Sequence, residues 1–473
     1  MKKKNISINL KYNTLRLIIM INLSFITFNN SLISQNKIET QRKSTSVTIY
    51  NDNLGVIKEN HTVSLDKGLN LINLTNVASQ IQPTSVNLEI NAKLLEQNYQ
   101  YDLASIYSIL QKFINKEINL TGKSEIKGTL ISINGIEIVV QTKEGGIIMI
   151  PNLNDYQLKV NQLPENLKTK PTLEWKIETD KKSTENLELT YKTNGLSWNA
   201  KYVAVLNKEE NKINLNSWVN MTNNCGASFF DTKIKLVAGN IKLNNTFEIY
   251  DEAKGGARYQ TMKMANEPNF QERTFFDYHI YELERPTDIL NNEQKQISLF
   301  TVDAINVTKS YSYKVNGNNP SGRVDIIIDF QNSKNNNLGI PLPKGEFSIY
   351  KEDNNSIELV GEDKIDHTPK DEKIELKLGE AFDIVIEDKI TSNDRNISKT
   401  VNEQIYITEY LITIKNKKEE NVIINIKSEF GSNWEVVKSN FKYEKNKYNE
   451  IVFPISVNKN ETQELTFKLK RVY

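Results

Sequence analysis

Residues 187–240 read LELTYKTNGLSWNAKYVAVLNKEENKINLNSWVNMTNNCGASFFDTKIKLVAGN. Leu187, Leu189 and Tyr191 recur at every second position, the period of a strand with one face buried. Thr193-Asn194-Gly195 then supplies turn chemistry. Residues 198–206 are apolar on both faces, as in a strand covered on both sides. Ile213, Leu215, Val219 and Met221 share a face, and Trp218 points the other way with Asn214, Asn216 and Asn220. Asn223-Asn224-Cys225-Gly226 turns the chain again. Ile234, Leu236 and Ala238 then alternate with Lys233 and Lys235. The spacing predicts four strands joined as an antiparallel meander, its register set by the turns.

The same periodicity extends outward in both directions. Upstream, Val47 and Ile49, Val63 and Leu65, and Val86, Leu88 and Ile90 repeat at period two between turns at 51–55 and 66–68, as a sandwich requires. Residues 102–116 carry Leu103, Ile106, Tyr107, Leu110, Phe113 and Ile114 at helical spacing, with Asp102 as the predicted cap. Short strands follow at 117–120, 126–133, 136–141 and 146–151, with a hairpin signal at Asn134-Gly135. A helix followed by four or five short strands predicts a small SH3- or Lsm-like barrel, a shape that does not by itself define a function.

Residues 164–171 form a connector, and 244–275 lack any sustained period, which predicts a mobile loop. Downstream of 297, Val324, Ile326, Ile328 and Phe330 share a face, and Ile374, Leu376 and Leu378 alternate with charges. Tyr410, Ile412 and Ile414, then Val422, Ile424 and Ile426, then Leu465, Phe467 and Leu469 continue the pattern around Trp434. They predict an immunoglobulin-like sandwich without its disulfide. The expected fold is mainly β, a chain of antiparallel sandwiches with one helix-plus-barrel module. Its expected divisions are a leader (1–34), an N-terminal strand segment (35–100), the barrel module (101–163), a central domain (164–300) with its continuation (301–388), and a C-terminal sandwich (389–473).

Composition narrows the function. Residues 1–34 hold Lys2, Lys3, Lys4, Lys11 and Arg16 and no acid, ahead of an apolar run too short for a comfortable membrane span. They predict a signal peptide cleaved near Ser34, although Leu32 is not the small residue such a site prefers; an uncleaved anchor is the alternative. Without this segment the formal charge falls from +1 to −4. Charges of both signs are interspersed, so there is no basic footprint for nucleic acid. After removal of the leader, no stretch is long and apolar enough to span a bilayer. Cys225 is the only cysteine, so no intrachain disulfide forms. It reads as a buried, inert thiol.

Few residues point to chemistry. His61, His279 and His367 are the only histidines and have no paired spacing, so no metal site or cofactor is expected. No EF-hand spacing, phosphate loop, dinucleotide fingerprint or nucleophile elbow occurs. Residues 361–372 form the densest polar cluster, where Asp366 beside His367 is the candidate acid–base pair. Adjacent residues of an extended chain face opposite ways, however, and Thr368-Pro369-Lys370-Asp371 reads equally as a turn. Tyr250, Tyr259, Phe270, Phe275 and Phe276 are candidate binding aromatics around the mobile loop. They present a sugar- or protein-binding surface or fold back over an edge strand.

Several blocks resemble a known family. GLSWNAKYV, LNSWVNMTNNCG, KLVAGN, YHIYELERPTDI, KQISLF, GIPLPKGEFSIYKED and VGEDKIDHTPKDEKIELKLGEAFDI are similar to a bacterial domain of unknown function. That domain also forms the C-terminal half of mucoidy-inhibitor-A-like proteins. The likeness runs from about Val47 to the C-terminus, and the long coiled coil of the mucoidy-inhibitor type is lacking. The resemblance implies the shorter, exported branch, an envelope protein with no catalytic residues to carry over. The expectation is therefore a periplasmic or cell-surface protein that holds an envelope protein or glycan. A hydrolase of envelope polymers using Asp, Glu or His is the alternative.

Overall fold

The computed structural model describes residues 37–38, 40–102, 106–160, 167–239, 270–354, 356–397, 404–430, 433–445 and 450–472. The leader, most of the expected mobile loop, Tyr250, Tyr259 and Leu103 lie outside the described residues. Among the described residues the fold is mainly β, 70% strand and 4% helix, and forms several sandwich-like sheets.

Two sheets build the first sandwich. One has the order β1(Lys37–Ile38)-β4(Gly68–Thr75)-β12(Thr172–Thr179)-β6(Lys93–Gln100). The other runs β17(Phe270–Phe275)-β18(Tyr278–Leu283)-β16(Phe229–Ala238)-β2(Gln41–Tyr50)-β3(Gly55–Leu65)-β13(Ser183–Thr193)-β5(Asn87–Ile90), with β19(Thr287–Ile289) also on β16. Between them lie Val47, Ile49, Ile72, Leu173, Trp175, Leu189 and Tyr191. Burying each such side chain stabilises the fold by about 1.5–3 kcal/mol.

A third sheet has the order β20(Glu293–Asn306)-β15(Lys212–Asn223)-β14(Leu196–Leu206)-β23(Gly345–Asp353)-β24(Ser356–Ile365). The predicted meander is thereby split. β14 and β15 pair as expected, but β13 and β16 belong to the second sheet of the first sandwich. Alternation records which face of a strand is buried and is silent on which neighbour it pairs with, so the sequence pattern is the same for both arrangements. The crossing between sheets is made at Gly195, whose φ is +84° and where a Cβ would lie 2.7 Å from the Cys225 backbone. Only glycine meets both conditions.

β14 and β15 outrun a single core. Leu196, Trp198, Val219 and Met221 close one end of the first sandwich. Further along the same faces, Ala200, Tyr202, Ala204, Ile213 and Leu215 join Phe347, Ile328, Phe330, Ile374 and Leu376 in a second core. Tyr202 and Phe347 stack there with centroids 4.4 Å apart, a pairing worth about 1 kcal/mol beyond burial.

The C-terminal sheet has nine strands: β28(Trp434–Ser439)-β31(Thr462–Val472)-β26(Gln404–Asn416)-β25(Lys373–Ile397)-β22(Asn318–Gln331)-β21(Thr308–Lys314)-β27(Val422–Glu429)-β30(Glu450–Val457)-β29(Glu444–Lys445). It curls on itself, since Phe453 of β30 meets Phe467 of β31 at 5.0 Å. The expected join at 388/389 falls inside β25, a single 25-residue strand. Tyr311, Tyr313, Val324 and Ile384 accordingly belong to the C-terminal core. Trp434, the expected centre of that core, lies half-buried on the edge strand β28 under Lys445. Tyr410, Phe453 and Phe467 fill the centre instead.

Between the paired strands β6 and β12 the chain makes an excursion. It forms the helix α1(Ile106–Gln111) and a five-stranded sheet, β10(Ile147–Ile150)-β9(Glu137–Thr142)-β8(Ile126–Asn134)-β7(Glu117–Gly122)-β11(Tyr156–Lys159), over its own core of Phe113, Ile118, Leu120, Leu130 and Val140. α1 is shorter than the predicted 102–116 helix, because Asn115 takes a left-handed conformation (φ +65°) that ends the turn. Asp102, the expected cap, bonds to the returning chain. Its carboxylate accepts the Lys168 backbone N–H at 2.6 Å and pairs with Lys112 at 3.3 Å, pinning the neck of the excursion.

Candidate functional site

The hairpin of β17 and β18 ends one sheet of the first sandwich. Phe275 pairs with Tyr278, which leaves Phe276-Asp277 as a two-residue turn. Phe276 has a φ of +56° and Asp277 does not share the positive sign. A two-residue hairpin with positive φ at its first central residue calls for glycine there. Phe276 is nonetheless present and 81% exposed, next to Phe275 at 55%. The other described non-glycine residues with positive φ are Asn, Asp, Glu and Ala. Tyr278 lies 6.3 Å from the Phe276 ring, and the Arg273 guanidinium sits 5.5 Å from the Phe275 centroid. Phe270, in contrast, is buried in the core at the other end of β17. It is a structural residue rather than an exposed binding aromatic, because its strand phase faces Leu283 and the sandwich interior.

On the inner face of this hairpin, His279 Nδ1 lies 2.7 Å from Glu272 Oε1. Further in, Tyr281 donates to the Pro341 carbonyl at 3.1 Å and meets Trp198 edge-on at 6.0 Å. The 341–344 segment is held from the other side. Tyr202 donates to the Pro343 carbonyl, and Leu342 and Thr368 exchange backbone hydrogen bonds. That bridge sets His367 beside the same segment, where its Nδ1 accepts the Lys344 backbone N–H at 3.1 Å. The proton of the neutral ring then sits on Nε2, a buried atom with no hydrogen-bond partner in the protein.

Burial is the main cause that lowers the His367 pKa, and the Lys344 charge adds to it. Asp366 and Asp52 pull the other way, and His279 is near enough for its charge to act on the ring. Asp52 belongs to the β2–β3 turn, where Asn51 Nδ2 donates to the Trp198 carbonyl and Asn51 Oδ1 is buried without a partner. The structure therefore gathers two groups of residues that are distant in sequence. The polar cluster around His367 and the aromatic hairpin meet at one end of the sandwich. Asp366 does not orient the imidazole: it is exposed, Nδ1 is occupied by Lys344, and the Asp366 carbonyl accepts the Thr368 hydroxyl as a local turn would. Cys225 is buried with its thiol pushed up to about 11 by burial, so it carries almost no thiolate at neutral pH.

A second polar group lies inside β3. Ile57, Glu59, His61 and Val63 share its core-facing phase. Glu59 and His61 are each 2% exposed. His61 Nε2 lies 3.1 Å from Glu59 Oε2, and Thr40 Oγ1 lies 2.9 Å from His61 Nδ1. Arg42 holds the other carboxylate oxygen at 3.2 Å. The carboxylate can only accept, so Nε2 carries the ring proton and Nδ1 accepts from the Thr40 hydroxyl. A groove of about 580 Å³ over this part of the sheet is lined by His61, Asn60, Lys43, Glu89 and Glu188. In the sequence this group is marked only faintly. The available signal was an acid and an imidazole at i and i+2, in phase with Ile57 and Val63.

Among the described residues no cluster of His, Cys, Asp and Glu has the arrangement to hold a metal ion, and no helix is long and apolar enough to cross a membrane. Compared with known proteins, the chain matches no family model and no curated sequence.

Proposed function

We propose that this is an exported envelope protein that holds a partner, an envelope protein or glycan, by the end of its first sandwich. The observation that carries this reading is Phe276. A bulky residue in the left-handed region costs about 1–2 kcal/mol, and such strain persists where function uses it. Phe275, Phe276 and Tyr278 offer flat apolar faces, and the adjoining imidazoles and carboxylates offer donors and acceptors in nearly balanced charge. The basic and apolar leader supports export, as does the resemblance to an envelope family. The test is a crosslinked pull-down from the envelope fraction with the wild type and Phe276→Gly. Glycine suits the turn, so the variant should fold normally yet lose the specific partner. Equal capture by both would remove the hairpin tip from the docking surface.

The Thr40–His61–Glu59 chain favours a second reading, a hydrolase. It has the connectivity of a hydroxyl nucleophile, a base and an orienting carboxylate. Under that reading an activated ester or fluorophosphonate should acylate or phosphonylate the wild type and fail on Thr40→Ala and His61→Gln. Lack of modification of the wild type would dismiss it.

A further inference from the structure

Among the described residues five sheets leave five pairs of edges, and their chemistry is unequal. β1, β5, β6, β11, β17, β20, β24, β28 and β29 each carry at least one Lys, Arg, Asp or Glu. Charges on an edge strand discourage strand addition. β10 is the exception: its sequence is Ile-Ile-Met-Ile, between Gly145-Gly146 and Pro151. Among the described residues it pairs only with β9, so its other edge is free. Its outward side chains, Ile147 at 62% and Met149 at 77% exposure, stand bare, and the same module exposes Ile131 and Ile136. Beside Met149 lies a recess of about 430 Å³, whose wall combines Ile126, Ile148, Ile150 and Tyr156 with Lys123, Glu125 and Asp155.

We propose that β10 is a self-association edge, pairing antiparallel with β10 of a second copy about a two-fold axis through Ile148. The occupant follows from self-complementarity. In that register Ile147 lies opposite the second copy's Met149, and Gly146 lies opposite its Ile150. The paired span Ile147–Ile150 itself carries no charge, and the chain turns away from it at 143–145 and 153–155, so no like charges meet within it. A two-fold interface needs one patch that matches itself, and an uncharged strand with its two bare side chains symmetric about the centre provides it. The contact is short, below the area of most permanent interfaces, so the dimer is weak and concentration-dependent.

Sedimentation velocity on the mature chain over a concentration series tests this. The wild type should shift from monomer to dimer. Met149→Lys and, independently, Ile147→Lys should weaken association by at least about tenfold, with melting temperatures unchanged because both side chains are exposed. A wild type that stays monomeric throughout, or a dimer that survives both substitutions, would overturn the proposal. Phe276→Gly should leave the dimer intact, which separates this edge from the partner-binding hairpin.

Discussion

At the scale of single residues, buried polar groups hold the loops in place. Asn223 is fully buried; its side-chain amide donates to the Ala227, Ile289 and Leu290 carbonyls, and its oxygen accepts the Cys225 N–H. Asn416 does the same for Glu420, Val457, Asn458 and Lys418, and Asn332 for Ile340, Pro369 and Gly339. Each satisfies backbone groups that would cost about 1–3 kcal/mol if buried unpaired. His367 is another such residue, with a pH dependence of its own. Its folded pKa is lowered, so between that value and the ordinary imidazole value the unfolded chain binds the extra proton. Stability contributed by the neutral ring is full above the ordinary value and declines as pH falls below it. Melting curves across this range should show a smaller acid-side loss for His367→Gln than for the wild type. Parallel profiles would mean that the ring binds its proton equally well in the folded and the unfolded chain.

At the scale of elements, the turn between β17 and β18 sets two effects against each other. Glycine at Phe276 would relieve about 1–2 kcal/mol of left-handed strain and cost about 0.5–1 kcal/mol in chain entropy. The exposed ring contributes little burial to offset this. Phe276→Gly should therefore match or exceed the wild type in thermal stability, by up to about 1.5 kcal/mol. A clear loss would show that the ring packs for stability and would weaken its assignment to binding. The same scale explains why β14, β15, β22 and β25 are long. Each spends one part of its length in one core and the rest in the next, so neighbouring cores share strands rather than linkers.

At the scale of the whole molecule, three cores are joined through shared strands, and one stands apart. Gln100 of β6 lies directly opposite Thr172 of β12, so the five-stranded module leaves and returns at one point. Its core is separate from the others. Replacing the chain between Asp102 and Lys168 with an Asn-Gly turn should leave the remaining sandwiches folded, as read by circular dichroism and a cooperative melt, while abolishing self-association. Collapse of the whole fold would show that the module supports the first sandwich.

The sequence by itself determined that the chain is mainly β and which face of most strands is buried. These are local properties, written in period-two alternation and in turn residues. The pairing of β13 and β16 away from their sequence neighbours, the run of β25 through an expected boundary, and the edge position of Trp434 were decided only by the tertiary structure. Strand partners are chosen by long-range packing, and alternation carries no record of the partner. The candidate site divided in the same way. Phe275, Phe276 and His367 were visible as unusual residues. The meeting of His367 with His279 and Asp52 arises because a loop of another sheet reaches the end of the first sandwich, whereas Glu59 and His61 are buried because their strand phase faces the core.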